Sequence, residues 1–299
     1  MTRSATVSGM TAIGSPPDAL WPGRSAEHST IEDVKDRLTV TDRCVDAPHS
    51  ARKGVGEMDR LKRDLPLVGI GLCLVAMAYT TIVLATTARP SILAFDFDIY
   101  REAARSWLAG DGFYHARQLA GAYQIIDGDV LYPPTLLWLL VPFTVLPDLL
   151  WWAVPAAISA WALWRLRPSR WLCFGMSALL VCPPNQWAIV GGNPVLWVAA
   201  LTLLGVTYGW GGAFVLLKPS LLPFALLGIT GRRWWLVTGL LVALTLPLLP
   251  LLLQYPQVIL DSHGMGGMLY SLNNVPLLAI PALAWVARRR GQVVLTATA

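Results

Sequence analysis

The sequence predicts an all-α protein that crosses a membrane several times, and three observations carry that expectation. Of 299 residues, 55% are hydrophobic and only 14% charged, with a mean hydropathy of +0.53; a soluble domain holds about 25% charged residues. Apolar runs recur from residue 67 to residue 287, several near the roughly twenty residues that a helix needs to cross hydrocarbon. Charge is also unevenly placed. Residues 1–66 hold ten Lys/Arg and ten Asp/Glu, whereas residues 67–299 hold thirteen and eight, the source of the whole net +5. That excess sits in short loops between apolar runs, where the positive-inside bias acts. The basic balance therefore reads as membrane topology. No basic face interleaved with exposed aromatics supports a nucleic-acid partner.

Residues 1–57 carry Ser, Thr, Gly, Pro and alternating charges without a sustained apolar period, the composition of a disordered tail. They are expected to be a cytosolic tail, or upstream sequence joined by a misplaced start, since Met58 followed by Arg60, Lys62 and Arg63 is itself a plausible membrane-protein amino terminus. Residues 58–299 form the membrane domain. Its first span is predicted over about Leu67–Thr87, and the preceding bases place its start in the cytosol. Segment 88–130 then lies outside. Within it Tyr100, Ala103, Ala104, Trp107 and Leu108 recur at helical spacing, so a short amphipathic helix at the membrane surface is expected, ended by Gly110-Asp111-Gly112.

Apolar runs follow at Leu131–Pro147, Leu149–Leu166, Trp171–Val181, Val195–Tyr208, Gly211–Ile229, Leu236–Leu253 and Val275–Ala287. Some are short, and Pro is scattered through them. Such segments suggest broken or re-entrant helices lining a cavity, because irregular backbone at membrane depth must be buried or wet. Seven or eight membrane segments are expected. Strict alternation would put Arg165, Arg167 and Arg170 outside, against the charge rule; one re-entrant hairpin would remove that conflict.

The four cysteines (Cys44, Cys73, Cys173 and Cys182) show no CxxC or Cys/His spacing and read as small hydrophobes. The sequence contains no GxxxxGK[ST], GxGxxG, HExxH or serine-hydrolase elbow, so nucleotide hydrolysis, dinucleotide chemistry and zinc proteolysis have no support. No cofactor or metal is expected.

Of the eight acids after residue 66, six fall in 88–130: Asp96, Asp98, Glu102, Asp111, Asp127 and Asp129. A solvated loop whose acids do nothing is the bland reading. Against it, Asp96 and Asp98 sit in Phe95-Asp-Phe-Asp-Ile-Tyr100, between apolar side chains near the end of a span, where a carboxylate is partly desolvated and can serve as a base. The segment ends in Leu131-Tyr-Pro-Pro-Thr135, which sets the entry of the next helix and places Tyr132 at the interface. Lys218 is the only Lys after residue 62 and lies inside an apolar run, before Pro219. It snorkels to an interface or marks a functional pathway, with a lipid phosphate as a candidate partner. Asn185-Gln186 through Gly191-Gly-Asn193-Pro194 forms a polar break between apolar runs. It is either a connecting loop or a half-helix junction whose amides and Asn193 bind a headgroup or sugar. The polar loop Asp261–Gly267, with the single His263, carries little catalytic weight.

Asp96-Phe-Asp-Ile-Tyr100, Ala103-Ala104, Leu108-Ala-Gly110, Tyr114 and Tyr132-Pro-Pro134 with Pro142 and Pro147 resemble the amino-terminal signature of glycosyltransferase family 87. That family comprises integral-membrane mannosyltransferases of the GT-C fold that use polyprenyl-phosphate-mannose. Gly191-Gly-Asn193, Gly211-Gly212 to Lys218-Pro219 and Arg232-Arg233-Trp234 are similar to its second region, and the likeness covers roughly residues 67–240. Position 192 is Gly where the family commonly has Gln, and the chain is shorter than is usual there. The resemblance implies a GT-C-like helical bundle in the cell membrane. It also implies that Asp96 is the general base for an acceptor hydroxyl, with Asp98 as the competitor. Tyr100, Arg101, Tyr132, Asn193 and Lys218 would bind substrate, with Arg105 a further candidate for holding phosphate. The implied partners are a polyprenyl-phosphate sugar donor and a lipid or glycan acceptor. The rival classes are a transporter or flippase for a lipid-linked substrate and an inactive accessory subunit of glycan assembly.

Overall fold

A computed structural model describes residues 49–87, 93–263 and 272–297; most of the expected amino-terminal tail and most of the loop after His263 lie outside them. The protein is mostly helical. Helix α1 (His49–Thr87) is followed by α2 (Phe95–Ala109), a short α3 (Leu137–Leu140), α4 (Leu150–Leu166), α5 (Arg170–Val181), α6 (Pro183–Gly191) and α7 (Val195–Tyr208). The single turn α8 (Leu222–Ala225) precedes α9 (Arg232–Thr245), α10 (Leu249–Leu260) and α11 (Val275–Ala297). One two-residue parallel pairing, β1 (Tyr123–Gln124) with β2 (Ser262–His263), ties the segment after α2 to the end of α10.

Among the described residues two stretches are long and apolar enough to cross a membrane, Asp64–Leu84 and Arg232–Leu260, the latter being α9 and α10 joined by a tight turn. A third arises if α6 and α7, bent by 106° at their joint, count as one. The first stretch is the span expected over Leu67–Thr87. Its side chains are mostly exposed, and Thr80 and Thr81 both donate to Gln186 Oε1 at 3.0 Å.

Helix α2 forms where the apolar spacing predicted it. Phe97, Tyr100, Ala103 and Ala104 are buried, and Gly110 ends the helix in the left-handed region, φ 92°. Leu108, expected on the apolar face, is 54% exposed instead. The residue before the helix, Ala94, also adopts positive φ (63°), uncommon for a side chain with Cβ. Its N–H donates to Val190 O at 3.0 Å, which ties the start of α2 to the end of α6.

Helices α4 and α7 run in the same direction. Trp151 packs on Trp197 toward one end, and Trp161 stacks on Tyr208 at the other, both with ring centroids 5.6 Å apart. At the second end Arg233 donates to Tyr208 O at 2.6 Å, and Arg288 donates to Val206 O. These are last-turn carbonyls of α7, which lack intrahelical donors and favour a cation. One end of the bundle thus gathers arginines, and Arg165 lies in the last turn of α4 at that end. The other end of α7 faces α2.

Two apolar runs that the sequence lists as membrane segments fold back on themselves. Gly212 N–H donates to Leu227 O at 2.7 Å, so residues 211–228 leave and return at one place. Residues 131–147 also begin and end beside α2: Tyr132 packs on Tyr100, and Arg105 reaches Thr144 O at 3.4 Å.

The fold-back at Gly212 leaves no room for a side chain, since a Cβ there would lie 2.0 Å from Phe224 O. Gly212→Ala is expected to lower stability in detergent by on the order of 1–3 kcal/mol, read as a fall in melting temperature. Gly71→Ala, where a Cβ meets nothing within 4 Å, should leave that temperature unlowered.

Candidate active site

The bend between α6 and α7 assembles the site. Gly192 follows α6 with φ 69°, and its neighbour's N–H, that of Asn193, donates back to Ala188 O at 2.9 Å. Asn193 also begins α7: its Oδ1 accepts Val195 N–H at 3.0 Å and its carbonyl accepts Leu196 N–H at 3.0 Å, as a capping residue does. One residue therefore closes one helix and opens the next, with its amide left at the joint. Two indoles brace the bend, with Trp151 Nε1 donating to Gly192 O and Trp152 Nε1 to Ile189 O, each at 2.7 Å. A Cβ on Gly192 would come within 2.9 Å of Phe97 Cβ and 2.8 Å of Trp152 Cζ2. This crowding, with the positive φ, explains why a Gly stands there.

Asp96, in the first turn of α2, faces this joint. Its Oδ2 accepts Asn193 Nδ2–H at 2.7 Å. Gly191 clears the space, because a Cβ there would sit 3.4 Å from the same oxygen. Tyr132 donates its hydroxyl to Asn193 Oδ1 at 2.8 Å, and Lys218 Nζ donates to that hydroxyl oxygen at 2.7 Å. The ammonium also lies 4.3 Å from the Tyr132 ring centroid, a cation–π distance. Tyr132 and Lys218 are buried, at 1% and 2% exposure, while Asp96 and Asn193 are partly exposed. The chain of contacts thus runs from a buried cation to a carboxylate at the rim.

The local sequence explains these placements. Pro219 disfavours helical backbone at the residue before it. Lys218, at φ −136° and ψ 81°, accordingly breaks the path between the tight turns Ala213–Leu217 and Pro219–Leu221. Pro133 and Pro134 open the turn Pro134–Leu136 directly after Tyr132. The Tyr132 ring is held edge-on by Tyr100 (5.1 Å), and its carbonyl accepts Tyr114 O–H at 3.0 Å.

Of the residues singled out in the sequence, Asp96, Tyr132, Asn193 and Lys218 meet in this chain, and Tyr100 supports it through its ring. Asp98 and Arg101 do not join it. Asp98 is exposed and accepts Arg101 Nη2–H at 2.7 Å, while the other arm of Arg101 holds Asp148. Arg105 is engaged with Glu102 and the Thr144 carbonyl. The remaining acids of the segment divide in the same way: Asp129 is buried against Arg117 and the Ile126 N–H, and Asp111 and Asp127 are exposed. Only Asp96 among these six is partly buried without a paired guanidinium among the described residues. Burial raises its pKa above the ordinary carboxylate value; the Asn193 hydrogen bond and the positive charge of Lys218 oppose that shift.

Asn185 and Gln186 serve the fold. Their side-chain amides donate to Leu179 O, which also accepts Cys182 N–H, and to Leu180 O, both carbonyls in the last turn of α5. Trp151 and Trp152 were read only as apolar residues of a membrane segment. The available signal was the need of a buried indole N–H for an acceptor. No group of three or more His, Cys, Asp or Glu able to hold a metal occurs among the described residues.

No family model, curated protein or solved structure matches this chain.

Gly192→Ala is expected to destabilise the protein by roughly 1–2 kcal/mol from the left-handed backbone alone, with added cost from the Phe97 and Trp152 contacts. Thermal melts followed by tryptophan fluorescence should show both the lower midpoint and a changed signal from the two indoles at the joint.

Proposed function

We propose that this chain is a multi-pass glycosyltransferase of the cell membrane with a GT-C-like helical bundle. It moves a sugar, in this reading mannose, from a polyprenyl-phosphate donor to a lipid or glycan acceptor outside the cytosol. The observation that carries the reading is the position of Asp96: a carboxylate at the rim of a bent-helix joint, its pKa raised by burial and held by a neutral amide. A base must be deprotonated yet retain proton affinity, and such surroundings supply both. Asp96 takes the proton of an acceptor hydroxyl while that oxygen attacks the anomeric carbon. The bond from that carbon to the phosphate oxygen breaks, polyprenyl phosphate leaves, and the configuration inverts. The segments that resemble glycosyltransferase family 87 include all four residues of the chain from Asp96 to Lys218.

The fold-back segments support a particular topology. If 131–147 and 211–229 are re-entrant, the eight apolar segments comprise six crossings and two hairpins. Helix α4 then begins on the Asp96 side and ends on the arginine side. Arg165, Arg167, Arg170, Arg232, Arg233 and Arg288 all fall on the cytosolic face, as the positive-inside bias requires, and Asp96 falls outside.

The test incubates membranes with radiolabelled polyprenyl-phosphate-mannose. Asp96→Asn should reduce transfer at least ~100-fold, the scale of a lost general base, whereas Asp98→Asn should retain most of it. Equal transfer by wild type and Asp96→Asn would remove Asp96 as base. No transfer by wild type would favour the transporter or accessory-subunit reading. Because the raised pKa makes protonation easier, transfer should fall on acidification at a higher pH than an ordinary Asp would give, as Asp96 loses its basic form.

A further inference from the structure

We infer that Lys218 acts on Asp96 from a distance, through a directional hydrogen-bond chain of which Tyr132 and Asn193 are the links, and that these three are positioning residues that keep the carboxylate ionised and aimed.

The direction of each bond follows from what each group can do. An ammonium has only donors, so the Tyr132 oxygen must accept at the 2.7 Å contact with Lys218 Nζ. The single hydroxyl proton of Tyr132 is then given to Asn193 Oδ1 at 2.8 Å. That oxygen also accepts Val195 N–H at 3.0 Å. Two donors on one side of the amide settle its orientation: the NH2 must point the other way, and there it meets Asp96 Oδ2 at 2.7 Å. Each link polarises the next toward the carboxylate, the arrangement in which such chains strengthen. Lys218 is 2% exposed, enclosed by the Tyr132 ring and hydroxyl. The Tyr132 hydroxyl oxygen is 2.7 Å from its Nζ. The Lys218 charge acts on Asp96 through space and through the chain.

The surroundings leave Lys218 as the charge that matters to Asp96 among the described residues. Helices α6 and α7 carry no charged side chain, and α4 presents Trp151 and Trp152 to the joint. Residues 131–144 contribute Tyr132 as their only titratable group. On α2 itself, Asp98 and Arg101 form an ion pair with each other and with Asp148, Glu102 pairs with Arg105, and Tyr100 packs on the Tyr132 ring.

The catalytic meaning of this arrangement rests on Asp96 being the base, but its test needs no substrate. Dicyclohexylcarbodiimide modifies protonated carboxyls in apolar surroundings, and peptide mass spectrometry reads the modified fraction of Asp96 against pH in the full-length protein. Wild type should show labelling that rises as pH falls. Removing the cation with Lys218→Met should move the half-labelling pH upward by about one unit or more, the effect of losing a nearby opposite charge. Tyr132→Phe, which keeps the ring and removes only the hydroxyl, should move it in the same direction by less. If both variants label with the wild-type profile, the inference fails. Should Lys218→Met not fold, the Tyr132→Phe profile decides alone: an upward shift supports the chain and coincidence with wild type overturns it. A transfer assay then separates the two levels. Active wild type with shifted acidic limbs in the variants supports both; shifted labelling without any transfer overturns the enzyme reading and leaves the chain standing.

Discussion

A lysine at 2% exposure is the constraint around which the protein is arranged. Burying a cation costs several kcal/mol unless acceptors are supplied. Here the supply is the Tyr132 hydroxyl and ring face, and the consequence propagates. Once Tyr132 has accepted from Lys218, its own proton fixes the Asn193 amide, and the amide fixes a carboxylate on another helix. Four residues spread over more than a hundred positions of sequence thus behave as one polar unit. Removing Tyr132 or Asn193 leaves a buried polar group without that partner, which is the expensive outcome for a polar network.

The bent joint between α6 and α7 makes this unit possible. A straight helix would carry Asn193 with its backbone fully engaged and its side chain on one face. The 106° bend instead presents the amide to α2 while the backbone groups at the break are met by Trp151, Trp152 and the Ala94 N–H. Glycine at 191 and 192 admits the Asp96 carboxylate on one side and the Phe97 and Trp152 side chains on the other. Positive φ at Ala94 shows that strain is tolerated where α2 is tied to this joint.

Much of this was legible beforehand, and for identifiable reasons. Asp96, Tyr132, Asn193 and Lys218 each broke the local rule of their surroundings: an acid among aromatics, a Tyr before two prolines, an amide among glycines, a lone Lys in an apolar run. Such violations are visible without coordinates. Arg101 and Arg105 looked equally suited to a site, but their proximity in sequence to Asp98 and Glu102 was the better guide, since residues three apart on a helix meet. Asn185 and Gln186 were ambiguous because an amide that closes a helix end and one that binds a ligand have the same sequence signature. Trp151 and Trp152 passed unnoticed because hydropathy does not register an indole N–H.

What the sequence alone determined is compositional and local. It determined a mostly helical chain with long apolar stretches, an amphipathic α2 ended by Gly110, and a polar break before α7, because hydrophobic period, glycine and proline act within a few residues. What the tertiary structure decided is the partnering. Which of six acids is partly buried without an arginine, which apolar runs turn back, and which side chain meets Lys218 all depend on contacts between distant segments. In this chain those contacts form only after the bend at Gly192 and the fold-back at Gly212 bring α2, the residue-132 turn and Lys218 to one point.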